Sequence, residues 1–296
     1  MYTGRFAPSP TGSLHLGSLL AAVGSFLDAR SHGGRWLLRM EDLDRARVLP
    51  GSADEILWML EGFGLLWDGE VEYQSRRTHH YAEALETLRA AGHTFECSCS
   101  RRELSTEDSG YPGTCREGPR KAGDTAIRFR VDDTETIAFD DRFQGAVALA
   151  MSKLGDVIVR RRDGVFAYQL AVVVDDALQG ITDVVRGSDL LESTGWQIAL
   201  QGALSLRTPR YAHLPLLLEC KGGKLSKSRR SAALDASRPG AQMQQVLGLL
   251  GLCPPVELAG AVPVSLLQWA TGHWRRQPPP QPREIVLPKT PRPNRT

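Results

Sequence analysis

The first forty residues constrain the fold more than any other stretch of the chain. Residues 3–7 can form a short buried strand, and Pro8, Ser9, Pro10, Thr11 and Gly12 then impose a tight, extended loop. Leu16, Leu19, Leu20, Val23, Phe26 and Leu27 recur at helical spacing, which predicts a helix with one buried face, Thr11 or Ser13 as its N-cap and His15 in its first turn. Residues 36–40 read as a second strand that runs into Glu41, Asp42, Leu43 and Asp44. Strand, helix, strand is a βαβ unit, so an α/β protein with a parallel sheet is expected. In open sheets of this kind ligands collect at the carboxyl ends of the strands, where the 8–12 loop and Glu41 would meet.

At 296 residues the chain exceeds a usual single domain, so a catalytic domain carrying an insertion, or two closely joined domains, is expected. Hydrophobic residues at 42% and charged residues at 24% fit a globular protein and exclude a disordered one. No apolar run has membrane-span length and the N-terminus lacks a signal-peptide pattern, which places the chain in the cytoplasm with no membrane partner. A net charge of +2 does not identify a nucleic-acid binder by itself.

Further along, Ser52 and Glu55 match a capping box ahead of a helix carrying Ile56, Leu57, Met59, Leu60 and Phe63, and another helix is expected over residues 77–91. Between residues 95 and 159 the pattern changes to short strands and Gly-rich turns, read as an insertion between two halves of the sheet. Asp163-Gly164 signals a hairpin turn, after which residues 172–175 are expected to return to the sheet. Val184 and Val185 lead to Arg186, a helix spans about 194–204, and a strand at 214–218 delivers the loop 221–230. The expected units are 1–94, 95–159, 160–235, a small helical region 236–276 and a Pro-rich, disordered tail 277–296.

Two segments suggest phosphate handling. A helix N-terminus offers free N–H groups to an anion; His15 adds a donor, and Gly17 removes a side chain that would hold a nucleotide away. KLSKS supplies Lys224 and Lys227 as point charges and Ser226 and Ser228 as hydroxyls, after the permissive Gly222-Gly223. Each alone is commonplace. Together, in this order and after a βαβ start, His15-Leu16-Gly17 and Lys224-Leu-Ser-Lys-Ser228 resemble the two signatures of class I aminoacyl-tRNA synthetases, with Ser18 where the first signature ends in histidine. The resemblance implies a Rossmann-type nucleotide-binding sheet, ATP as substrate with Mg2+, and attack of an amino acid's carboxylate on the α-phosphate. His15 and Lys227 would stabilise the charge growing on pyrophosphate.

RFAPSPTGSLHLG and the GSDLL after Arg186 are similar to the glutamyl branch, over most of residues 1–235. L-Glutamate is the substrate this implies. Arg5 and Arg186 would pair with its two carboxylates, Glu41 would accept from its ammonium, Tyr168 would position it, and Ala7 and Ser9 would complete the pocket.

Cys97, Cys99 and Cys115 cluster with Tyr111, which suggests a metal before a disulfide in a reducing compartment. Tetrahedral zinc needs four donors, and spacing leaves water, His93, Glu96 or Tyr111 open as the fourth. Short glutamyl enzymes carry a Cys-x-Cys, Tyr, Cys pattern here, and this resemblance implies Cys97, Cys99, Tyr111 and Cys115 around one structural Zn2+ per chain.

Roughly sixty residues follow Arg230, few for an anticodon-reading domain. The chain therefore resembles the stand-alone catalytic paralogues of the glutamyl branch, which activate glutamate without tRNA and transfer it to queuosine at the wobble position of tRNA(Asp). The implied partner is tRNA(Asp) carrying queuosine, and the chain is expected to be a monomer. Charging of the 3′ end of tRNA(Glu), activation of another small acid by a nucleotidyltransferase of the same superfamily, and RNA binding without activity are the competing expectations.

Overall fold

The strand at residues 3–6 is buried at every position, as a central parallel strand with both faces covered must be. A computed structural model describes residues 1–104, 110–218, 234–235, 237–274 and 282–287. Its first half runs β1 (Thr3–Phe6), α1 (Leu16–Ser31), β2 (Arg35–Met40), α2 (Ser52–Gly62), β3 (Glu72–Tyr73), α3 (Thr78–Ala90), β4 (Thr94–Cys97) and α4 (Arg101–Leu104). Then follow β5 (Ala126–Phe129), β6 (Thr136–Asp141), β7 (Gly145–Ala150), α5 (Met151–Leu154) and β8 (Val157–Arg160). The remainder is α6 (Tyr168–Leu178), β9 (Asp183–Gly187), α7 (Ser193–Ala203), β10 (Arg210–Leu214), β11 (Leu216–Leu218), α8 (Pro239–Leu249), α9 (Pro263–His273) and β12 (Glu284–Val286).

The βαβ expectation holds: β1 and β2 pair in parallel from Thr3↔Arg35 to Phe6↔Leu38, and β3 extends the pairing beyond β2. On the other side β9 lies beside β1, where the Thr182 amide donates to the Thr3 carbonyl at 2.9 Å and the Thr3 amide to the Thr182 hydroxyl at 2.9 Å. The order then continues β9-β10-β6-β7, with β10 parallel to both neighbours and β7 antiparallel at the edge. One core joins Leu19, Leu20, Val23 and Leu27 of α1 to Val246 and Leu247 of α8 and Leu266 and Leu267 of α9. A second joins Tyr81, Leu85 and Leu88 of α3 to Phe129, Val159, Leu200 and residues 170–174.

Several local expectations change. The α1 N-cap is His15 itself, not Thr11 or Ser13, and the helix is buried at every position from Ala22 to Ala29 and not along one face only. Ser52 is the first residue of α2 and not its cap; its hydroxyl instead accepts from the Gly12 amide at 3.0 Å and donates to the Gly12 carbonyl at 3.1 Å. Residues 172–175 are helical, because an apolar run buried all round, here from Leu170 to Asp176, has no period to separate strand from helix. The turn at 163–164 forms, with Gly164 at φ +83°, but its returning arm contributes a single bridge, Arg160↔Phe166. The stretch 95–159 is not one lobe: β6 and β7 belong to the main sheet, while β4, β5 and β8 form a separate three-stranded sheet beside the cysteines. Within the tail expected to be disordered, β12 pairs in parallel with β11 from Leu216↔Glu284 to Leu218↔Val286.

Candidate active site at the carboxyl ends of the strands

Five charged side chains meet where β1, β2 and α6 converge. Arg5 on β1 is buried and donates from Nε to Asp176 Oδ1 at 3.1 Å and from Nη2 to Asp176 Oδ2 at 3.3 Å. Arg39 on β2, fully buried, donates to the same Asp176 Oδ1 at 2.7 Å and lies 3.8 Å from Asp175 and 4.0 Å from Glu41. Burial alone would raise the Asp176 carboxyl, but the guanidiniums of Arg5 and Arg39 hold it below the usual carboxylate range. Asp175 is tied in by Gln74 at 2.9 Å, Arg77 at 2.7 Å and the Tyr81 hydroxyl at 2.7 Å. These pairings fix Arg5 from behind, a function that sequence reading did not assign to any residue. The signal was present: two aspartates inside the apolar run VVVDDAL must be paired if that run is buried.

Glu41 follows β2, and its amide donates to the Pro8 carbonyl at 3.0 Å, so the end of β2 and the loop after β1 are joined. Its side chain is only 10% exposed, and burial pushes its carboxyl up to about 7 despite the opposing pull of Arg39 and Arg5. Ala7 and Ser9 lie in the same loop directly after β1.

Arg186, on β9, is buried with neutral partners among the described residues. It donates from Nε to His213 Nε2 at 3.1 Å, from Nη1 to Gln197 Oε1 at 2.8 Å and from Nη2 to Thr194 Oγ1 at 2.8 Å. Longer contacts reach the Tyr168 hydroxyl at 3.4 Å and the Leu190 carbonyl at 3.3 Å, and the Tyr211 ring lies 5.4 Å from its guanidinium carbon. A buried cation without a carboxylate is costly, so the position suits an incoming anion. Burial raises the Tyr168 hydroxyl, with Arg186, Glu41 and Arg5 all close enough to act on it, so four of the expected substrate residues share one neighbourhood.

At the other end of the loop, His15 Nδ1 accepts from the Ser18 amide at 3.1 Å. In the neutral ring the proton then sits on Nε2, which lies 3.3 Å from the Ser18 hydroxyl and is the nitrogen able to donate to a phosphate. At Gly17 a Cβ would stand 3.1 Å from the His15 ring, so the ring would have to give by a few tenths of an ångström. Thr11 to Ser9, Leu49 to Pro10 and Ser52 to Gly12 bonds hold the loop in place. Lys224, Ser226, Lys227 and Ser228 lie outside the described residues.

In the small lobe the sulfurs of Cys97, Cys99 and Cys115 lie within 4.8 Å of one another, the Cys99 to Cys115 separation being 3.5 Å. The edge of a tetrahedral zinc–thiolate site is about 3.8 Å, from a Zn–S bond of about 2.3 Å, so the three sulfurs already have nearly that spacing. The Tyr111 hydroxyl is 3.4 Å from Cys97 Sγ and 3.7 Å from Cys99 Sγ, and it accepts from the Cys115 amide at 2.8 Å. The Arg128 guanidinium sits 3.8 Å over the Tyr111 ring, and burial raises the Tyr111 hydroxyl. Glu96 is a poorer fourth donor: on β4 it alternates with Phe95 and Cys97 and faces solvent. His93 lies four residues before Cys97 in extended chain, about 13 Å away. Burial raises the Cys99 thiol to about 11, whereas Cys115, which burial would also raise, is brought down to about 6 by hydrogen bonds from Tyr111 and backbone amides.

Comparison with known proteins gives one consistent answer. Residues 2–243 match the model of the catalytic domain of class I tRNA synthetases (E and Q). The chain is 54% identical to a glutamyl-Q tRNA(Asp) synthetase of Thiobacillus denitrificans, covering 92% of each chain. It is 52% identical to that of Dechloromonas aromatica, covering 97% and 98%, and 51% identical to that of Pseudomonas aeruginosa, covering 92% and 93%. Among solved structures, a glutamate tRNA ligase from Elizabethkingia meningosepticum in complex with its amino acid superposes with a TM-score of 0.69 at 29% identity. That match covers 77% of this chain, which spans about half, 52%, of the ligase. A methionyl-tRNA synthetase of Mycobacterium tuberculosis shares the fold at a TM-score of 0.59 and 16% identity.

Proposed function

The chain belongs to the class I tRNA synthetases of the glutamyl and glutaminyl type and is a ligase, and from that premise we propose that it activates L-glutamate with ATP, without RNA, and transfers it to queuosine in tRNA(Asp). The observation that carries glutamate is Arg186, a buried guanidinium with neutral partners a short way from Glu41 and Tyr168. Arg186 and Arg5 take the two carboxylates, Glu41 in its ionised form accepts from the ammonium, Tyr168 orients the substrate, and Ala7 and Ser9 line it. His15 Nε2, Gly17 and the N-terminus of α1 receive the phosphates of ATP, bound with Mg2+, together with Lys224, Ser226, Lys227 and Ser228.

In the first step a glutamate carboxylate oxygen bonds to the α-phosphorus, the bond to the bridging oxygen breaks, and pyrophosphate leaves with its charge stabilised by His15 and Lys227. In the second the acceptor nucleoside takes the glutamyl group and AMP leaves. The queuosine acceptor is supported by the relatives named for glutamyl-Q tRNA(Asp), which align over 92–98% of their own length. Cys97, Cys99, Cys115 and Tyr111 would hold one Zn2+ whose contribution is structural, joining β4 to the 110–115 turn. No helix among the described residues is long and apolar enough to cross a membrane, and we place the protein in the cytoplasm as a monomer.

Exchange of labelled pyrophosphate into ATP, with glutamate and no RNA, tests activation. Exchange with glutamate and not with glutamine or aspartate is expected; none with any of the three overturns the proposal.

A further inference from the structure

Behind Arg186 lies a buried chain of groups that none of the roles above uses. His213 on β10 is fully buried; its Nε2 accepts from Arg186 Nε at 3.1 Å, and its Nδ1 lies 2.5 Å from Asp141 Oδ2 at the end of β6. Asp141 is itself immobilised: Oδ1 accepts from the backbone amides of Phe143 at 3.0 Å, Gln144 at 2.9 Å and His213 at 3.0 Å. A carboxylate with one oxygen committed to three amides presents the other, acceptor-only, to the imidazole. The ring must therefore place its proton on Nδ1, which leaves Nε2 with a lone pair and no hydrogen. That lone pair is what allows Arg186 Nε to donate, with the Thr194 hydroxyl 3.3 Å from the same nitrogen.

We propose that Asp141 and His213 are positioning residues for glutamate: the aspartate fixes the imidazole tautomer, and the tautomer fixes the Arg186 guanidinium in the orientation that receives the substrate carboxylate. The inference rests on Arg186 being a substrate residue, as proposed above. The arrangement also keeps the guanidinium's charge available. The Asp141 carboxylate is held one ring away, so Arg186 is oriented by a neutral acceptor and not by a direct ion pair.

Asp141→Asn tests this with little change of shape. The asparagine carbonyl keeps the three backbone amides, which turns its NH2 toward His213 Nδ1; the ring then carries its proton on Nε2, facing the Arg186 N–H. Misplacing one hydrogen bond to a charged group corresponds to about a ten- to hundred-fold rise in the glutamate KM of the exchange reaction, with the ATP KM unchanged. His213→Gln retains an acceptor near Nε2 and should stay within a few-fold of wild type, and adding Asp141→Asn to it should change the glutamate KM no further. Three outcomes overturn the inference: an unchanged glutamate KM in Asp141→Asn, an equal rise in both KM values, or the same penalty in the His213→Gln background. In each the wild type still exchanges with glutamate, so the proposed activity stands. A wild type without exchange overturns that activity and this inference together.

Discussion

Glu41 illustrates what a substrate pocket costs at the level of one residue. Its carboxyl sits at about 7 because burial outweighs the pull of Arg39 and Arg5, so from its ordinary value of 4.5 up to about 7 the folded chain binds a proton the unfolded chain has lost. Stability from this group therefore falls as pH rises through that window. Glu41→Gln should abolish the fall and leave the protein more stable than wild type above pH 7, by up to about 3 kcal/mol, as denaturant unfolding at pH 5 and 8 will measure. The same variant should lose glutamate affinity. In the wild type the glutamate KM of the exchange reaction should rise as pH drops below 7, since the proton must leave Glu41 before the ammonium can bind. A flat KM between pH 6 and 8 would remove Glu41 from that role.

At the scale of elements, the loop between β1 and α1 is held from outside, by Ser52 at the start of α2. Ser52→Ala removes the two hydrogen bonds to Gly12 in a half-buried place and should cost about 1–3 kcal/mol, the net worth of two such bonds. The ATP KM should rise severalfold while the glutamate KM changes little; equal shifts in both would mean that the bond supports the fold generally. The sequence carried the elements with a period, such as α2 and α3, and the motif at His15 and Gly17, because regular spacing and fixed turn chemistry are local properties. It did not carry α6, whose burial on all sides erases the period, nor the use of Ser52, whose partner lies forty residues away. Arg5, Glu41, Tyr168 and Arg186 were legible as types suited to a dicarboxylate; Arg39, Asp176, Asp141 and His213, which hold them, were not. Their partners are set by strand order, with β6 entering the main sheet from a stretch that reads as an insertion.

Across the whole molecule, the buried cluster around the cysteines is small, with Phe95, Cys97 and Cys115 at its centre and Cys99 and Tyr111 against it, while Ile127, Phe129 and Val159 of β5 and β8 pack into the core shared with α3. A bound zinc would supply the stability that so small a core does not. Elemental analysis should find one zinc per chain, and Cys97→Ser should lose it, since a hydroxyl is a poor substitute for a thiolate, together with a drop in Tm of several degrees. Full zinc occupancy in that variant would exclude Cys97 from the ligands. The central claim concerns where the activated glutamate goes. Labelled glutamate and ATP supplied with tRNA(Asp) containing queuosine, the same tRNA lacking it, and tRNA(Glu) measure this directly. Label on queuosine-containing tRNA(Asp) alone is expected; equal labelling of both forms of tRNA(Asp), or labelling of tRNA(Glu) alone, would contradict the proposed transfer.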